Sequence, residues 1–243
     1  MTLLQAEQAL LAATCAALGL VVGSFLNVVV HRLPRMLDRE WRAQCAELEG
    51  KAPVAAPRYD LLVPASHCPA CDHAIRWYEN LPVVSWIALR GRCSACRAPI
   101  SSRYPLVELA AGALAMACAL RFGAAPQLLG ALAVSWTLLA LALIDLEHQL
   151  LPDDLTLPLL WLGLLASLWH PFVAPRAAII GAAVGYLSLW TVFHLFKALT
   201  GKEGFGYGDF KLLAAFGAWF GAGAILPIVL LASVAGALVG PAG

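Results

Sequence analysis

Asp145 and Asp209 are the residues of this chain best suited to chemistry. Asp145 closes the apolar run Leu141-Ala-Leu-Ile-Asp145, and Asp209 closes Gly206-Tyr-Gly-Asp209. An acid at the edge of hydrocarbon is costly, roughly 2.5 to 3.5 kcal/mol at a helix centre, and is therefore a functional candidate by default. Two such acids can hydrolyse a peptide bond without a nucleophilic side chain. One takes a proton from water while its protonated partner donates to the scissile carbonyl, and like-charge repulsion keeps a single proton on the pair. The pair titrates as a unit, so the sequence does not say which acid holds the proton. Gly206 and Gly208 let an extended substrate approach the backbone. Either acid alone reads better as a helix cap or an interfacial charge. Gly-Tyr-Gly before one and Leu151-Pro-Asp153-Asp154-Leu-Thr-Leu-Pro158 after the other favour the catalytic pair.

A second constellation is Cys68-Pro-Ala-Cys71 and Cys93-Ser-Ala-Cys96, with 21 residues between the pairs. In a reducing compartment such pairs point to metal rather than to disulfides. Four thiolates at this spacing suit a closed, tetrahedral structural zinc. Cys15 and Cys118 fall in apolar segments and Cys45 in a basic one, each read as buried or incidental.

The elements that must position these groups are membrane helices. Of the 243 residues 61% are hydrophobic and 13% charged, and the mean hydropathy is +0.77, outside the range of a soluble domain. The expected fold is an all-α polytopic membrane protein with a small cytoplasmic zinc-knuckle domain. Spans are expected near 9–30, 105–121, 127–144, 155–169, 177–197, 210–221 and 224–240, about seven, with the fourth and sixth short. No internal repeat of fixed period is visible. Of 16 Lys and Arg, 11 lie between His31 and Tyr104, which makes that stretch cytoplasmic. A nucleic-acid surface is not indicated, because seven acids are interspersed there and no aromatic ladder accompanies the basic residues. The first apolar segment lacks a basic start and is read as a retained helix with its N-terminus outside. Counting crossings from there brings both Asp145 and Asp209 out on the cytoplasmic side, and Lys197 and Lys202 agree with that parity. The expected divisions are 1–30, a first span; 31–104, the zinc-binding domain; and 105–243, the proteolytic membrane domain.

At these residues the chain resembles the bacterial type IV prepilin peptidases, membrane aspartyl proteases of the glycine-x-glycine-aspartate kind. The stretches that carry the resemblance are Gly23-Ser-Phe-Leu-Asn-Val-Val-Val-His-Arg-Leu-Pro34, Trp77-Tyr-Glu-Asn-Leu-Pro82, Arg103-Tyr-Pro-Leu-Val-Glu-Leu109, Ile144-Asp-Leu-Glu-His-Gln-Leu-Leu-Pro-Asp153 and Phe205-Gly-Tyr-Gly-Asp-Phe-Lys211. The resemblance implies an inner-membrane enzyme that removes the basic leader of type IV prepilins and type II secretion pseudopilins, with Asp145 and Asp209 as its catalytic pair. It also implies methylation of the new N-terminus with S-adenosylmethionine, in a domain where Cys68, Cys71, Cys93 and Cys96 hold zinc. No Gly-x-Gly-x-x-Gly fingerprint is present, and the candidate methyl-donor contacts are Gly91, Glu79, Arg103, Tyr104 and Glu108. Asp153 and Asp154 are expected to start a helix, Glu147 and His148 to lie in a loop, and Lys211 to meet lipid phosphate in preference to biasing the acids. The family usually continues into a further hydrophobic helix, so a shortened form is expected from the end at Gly240-Pro-Ala-Gly243. The rival classes are a proton-coupled transporter, disfavoured because the acids sit at one face without a repeated half, and a membrane-anchored zinc module, which leaves both acids idle.

Overall fold

The computed structural model describes residues 3–51, 57–169, 172–202 and 206–239. Phe205 of the fifth motif and the terminal Gly240-Pro-Ala-Gly243 lie outside the described residues. Within them the regular elements are helical: α1 Leu3–Leu48, α2 Val84–Ala88, α3 Arg103–Phe122, α4 Gln127–His148, α5 Asp153–Ala166, α6 Pro175–Thr200, α7 Tyr207–Phe220 and α8 Ile225–Val239, with 3-10 turns at Trp77–Asn80, Ser167–Trp169 and Ala222–Ala224. The chain divides into two compact units, Met1–Leu150 and Leu151–Gly243.

In the first unit α1, α3 and α4 pack together. Small residues decide how closely. A Cβ added at Gly19 would come within 2.6 Å of the Ala111 carbonyl, and one at Gly23 within 2.6 Å of the Glu108 Cα. Two glycines four apart therefore let α1 lie directly on the α3 backbone, the means by which helices associate where lipid supplies no hydrophobic drive. Ala12, Cys15, Ala115, Ala119, Leu128 and Leu132 fill the space alongside, and the Trp136 indole donates to the Ala111 carbonyl at 3.2 Å.

The first helix is longer than its hydropathy suggests. Expected to end near Val30, it continues through Pro34 to Leu48. At about 1.5 Å per residue its 46 residues rise roughly 69 Å, more than twice a hydrocarbon core of about 30 Å. The polar extension holds because its residues are good helix formers with i,i+4 partners, as in the Arg42–Asp38 pair at 3.0 Å. Its first turns also hold the following loop. Arg32 is buried and donates to the carbonyls of Asp60 at 2.9 Å and Pro64 at 2.7 Å, and Arg39 lies 4.1 Å over the Tyr59 ring.

In the second unit α7 packs on α5 and α6. Gly181 and Gly217 face each other so closely that a Cβ on either would overlap the other's backbone, and a Cβ on Gly185 would overlap Leu213 in the same way. Phe193 and Phe210 are fully buried and meet edge to face at 5.6 Å. The Trp219 indole donates to the Leu159 carbonyl at 2.9 Å, fixing α7 on α5.

Among the described residues four helices are long and apolar enough to cross a membrane: Gln5–Leu48, Arg103–Phe122, Gln127–His148 and Pro175–Thr200. The protein is thus all-α and polytopic. Helices α5 and α7, the expected fourth and sixth spans, have 14 residues each, or about 21 Å of rise.

Candidate active site and metal centre

Asp145 lies in the last turn of α4, exposed. Three residues more of helix follow it than expected, and Gln149 ends the helix in the left-handed region at φ +51°, donating its N–H to the Asp145 carbonyl at 2.8 Å. Glu147 and His148, expected in a loop, belong to this final turn. Glu147 is paired with Arg103 at the start of α3.

Asp209 is the third residue of α7, and its Oδ2 accepts the Gly206 N–H at 3.2 Å. This bond, together with the favourable N-terminal position, holds the acid over the first turn. Gly208 is required here by close approach, since a Cβ would come within 2.6 Å of the Leu151 Cβ. Asp153 and Asp154 open α5 as expected. Lys211 is placed differently from the expectation of a phosphate contact: its Nζ lies 2.6 Å from each Asp153 carboxylate oxygen. A cation beside a ready carboxylate needs no lipid partner, and this pair braces the Asp209-bearing turn against the start of α5. Of the two acids, Asp145 belongs to the first unit and Asp209 to the second.

The four cysteines converge. Their sulfurs all lie within 4.8 Å of one another, and Cys68 Sγ is 3.8 Å from Cys96 Sγ. A tetrahedron with bonds of about 2.3 Å to sulfur has edges of about 3.8 Å, so the cluster fits such an ion. Two hairpins of one design build it. Cys68 N–H bonds the His73 carbonyl and Cys93 N–H the Ala98 carbonyl, at 2.9 and 2.8 Å. Bridges join His67 to Ala74 and Arg92 to Pro99, and Asp72 and Arg97 take the left-handed region at φ +54° and +64°. The equivalent positions differ by 25 throughout, a duplication of structure not visible as a sequence repeat because only Cys-x-Ala-Cys and the isoleucines Ile75 and Ile100 are shared. Donation from the Cys96 and Ala95 N–H groups pulls the Cys93 thiol down to about 6. For Cys71 the His73 N–H favours the thiolate, but the Cys96 thiol, desolvation and the other two thiols together push it up to about 12. A cation binds such a cluster as thiolates, so its binding would displace their protons.

The expected methyl-donor residues separate into different places. A cavity of about 500 Å³ between the hairpins and α2 is lined by His73, Arg76, Tyr78, Glu79, Ser85, Ser94 and the apolar Ala88, Leu89 and Ala95. Of the five candidates only Glu79 lines it. Its carboxylate is held down to about 2 by a hydrogen bond from Ser94, the Arg76 N–H at 2.9 Å and His73 at 3.3 Å. Gly91 is a turn residue at φ +66° beneath Trp86. Arg103 is committed to Glu147. Tyr104 is exposed, its carbonyl accepting from Asn27 at 3.1 Å, and buried Glu108 accepts the Val83 N–H at 2.7 Å. Sequence reasoning missed His73, Arg76 and Ser94. Their positions beside the knuckles were the only available signal.

Comparison with known proteins bears on both centres. The family model for the Bacterial Peptidase A24 N-terminal domain matches residues 17–122, and that for the Type IV leader peptidase family matches 132–240. Similar proteins include the prepilin leader peptidase/N-methyltransferase of Stutzerimonas stutzeri, 56% identical over 229 residues, covering 93% of this chain and 79% of that protein. That of Pseudomonas putida is 55% identical over 240 residues, 98% and 83% of the two chains. That of Burkholderia pseudomallei strain 1026b is 58% identical over 227 residues, 92% and 73% of the two chains. No solved structure matches. With both centres inside the matched segments and identity above half across most of its length, the chain belongs to the bacterial type IV prepilin leader peptidase/N-methyltransferase family.

Proposed function

We propose that this multi-pass protein of the bacterial inner membrane cleaves the leader from type IV prepilins and pseudopilins and then methylates the new N-terminus. The observation that carries this reading is identity above 50% to prepilin leader peptidase/N-methyltransferases over more than nine-tenths of the chain. The matched peptidase segment, 132–240, contains Asp145 and Asp209. Two of its other acids, Glu147 and Asp153, are committed to Arg103 and Lys211, which gives those two a bracing part. With Asp145 and Asp209 as the catalytic pair, one carboxylate accepts a proton from water as its oxygen bonds to the scissile carbonyl carbon, and the other donates to the carbonyl oxygen. Collapse of the tetrahedral adduct breaks the C–N bond, and the departing nitrogen takes the proton that the first carboxylate had accepted from water. Seven crossings, with α5 and α7 tilted or extended by flanking residues, would bring both acids to the cytoplasmic face.

Zinc held by Cys68, Cys71, Cys93 and Cys96 would be structural, with every position taken by thiolate. Bound there, it would organise residues 57–100, where the helices are too short to form a core of their own. S-adenosylmethionine supplies the methyl group, and the cavity beside the knuckles suits it. There Glu79 would offer a fixed negative charge to its cationic end, and Arg76 would donate to its carboxylate. Gly91 shapes the neighbouring turn. Arg103, Tyr104 and Glu108 join this region to α3 and α4, acting on methylation through position. The decisive experiment incubates the purified protein in detergent with a prepilin and S-adenosylmethionine, and follows leader release and N-methylation by mass spectrometry. Release of the leader with methyl incorporation is expected; an intact prepilin would overturn the reading.

A further inference from the structure

The outer face of the segment around α2 is apolar although the segment belongs to no spanning helix. Trp77, Leu81, Val84 and Ile87 are 80%, 43%, 63% and 63% exposed, and the last three recur every third residue along one side. The opposite side faces inward, where the Trp86 indole donates to the Ile100 carbonyl at 3.2 Å and its ring lies against Gly91. A water-facing surface would have the reverse pattern.

The depth of this face is fixed by one bond. Val83 N–H donates to buried Glu108 at 2.7 Å, and Glu108 lies in the second turn of α3 with α1 packed against its backbone at Gly23. Glu108 is five residues inside a 20-residue helix that starts at Arg103, about 7.5 Å along an axis whose roughly 30 Å rise matches the hydrocarbon thickness. Val83 is thus held within about 7.5 Å of the hydrocarbon edge, inside the depth to which interfacial segments bury their apolar face. At the same level α3 exposes Tyr104, Leu106 and Leu109, residues that must meet lipid if α3 spans. Exposed Arg90 follows the apolar stretch, as suits a segment lying beneath anionic headgroups.

We propose that residues 77–88 form an interfacial anchor, with Trp77, Leu81, Val84 and Ile87 inserted into the bilayer surface that α3 crosses. The anchor fixes the knuckle domain and its cavity at the membrane plane. This goes beyond the catalytic reading and does not depend on it, because its test reads lipid contact and no activity.

The full chain is reconstituted in phosphatidylethanolamine/phosphatidylglycerol vesicles carrying a lipid with a diazirine near the top of its acyl chain. After photolysis, adducts are mapped by mass spectrometry. Adducts on 77–88 as well as on Leu106 and Leu109 are expected. Labelling of α3 with none on 77–88 overturns the proposal. The double variant Val84→Asp, Ile87→Asp should lose most of the 77–88 adducts while α3 labelling persists, and unchanged labelling overturns it. A photocrosslinker at Ile87 should capture lipid; capture of a second copy or of a pilin in place of lipid also overturns it.

Discussion

Lys211 and Asp153 stand 58 residues apart yet meet at 2.6 Å, and they sharpen what each nearby acid does. Asp153 is a counter-charge, and Asp209 holds the turn that Lys211 braces. We predict that Asp145→Asn or Asp209→Asn lowers leader cleavage by about 10²–10⁴-fold, the span of a lost acid–base group, while the protein still inserts. Asp153→Asn keeps an oxygen for Lys211 and should retain cleavage. Quantifying leader release from equal amounts of inserted protein checks this; processing at the parental rate by either of the first two variants would sink the assignment. Glu79 offers a pH test. Its pKa falls from the ordinary 4.5 to about 2 in the folded domain. The carboxylate is thus favoured by folding, and its contribution is complete above about 4.5 and lost as pH falls through about 2. Amide exchange across residues 73–79 should accelerate over that window in the parent, and Glu79→Gln should remove this acid-dependent step.

At the scale of elements, the same device recurs in both units: glycines four apart on one helix admit the backbone of another. Gly19 and Gly23 receive α3, and Gly181 and Gly185 receive α7. Gly217→Ala should therefore destabilise the second unit by about 1–3 kcal/mol, an overpacking penalty, whereas Gly236→Ala, with nothing within 4 Å of the added carbon, should be neutral or better. Thermal unfolding in detergent measures the difference, and equal shifts for the two would refute the close-packing account. These elements also show what the sequence could reveal. Hydropathy located every long helix, because burial in lipid demands runs of apolar residues. It stopped α1 at Val30, since the polar extension depends on helix propensity and on Arg32 holding a distant loop. It placed Glu147 in a loop for the same reason. Lys211 and Arg103 find partners through folding, and no local spacing encodes contacts made across 58 or 44 positions.

Across the whole molecule, the boundaries of packing and of family do not coincide. The compact units divide after Leu150, whereas the peptidase segment begins at 132, so the α4 turn bearing Asp145 is peptidase by family but packs with α1 and α3. The cysteine hairpins belong to that same first unit, and their bearing on Asp145 depends on how far disorder in 57–100 would spread. The helix contacts of α1, α3 and α4 use alanines, glycines and Trp136, none of which needs the hairpins. Loss of metal should therefore loosen the knuckles and the cavity while leaving the α4 turn in place. We predict that a strong zinc chelator, or Cys96→Ser, abolishes methylation of the pilin N-terminus and accelerates amide exchange across 57–100, with leader cleavage retained. Parallel loss of both activities would show instead that the metal supports the turn carrying Asp145. Unchanged methylation with the metal gone would remove the hairpins from the transfer site altogether.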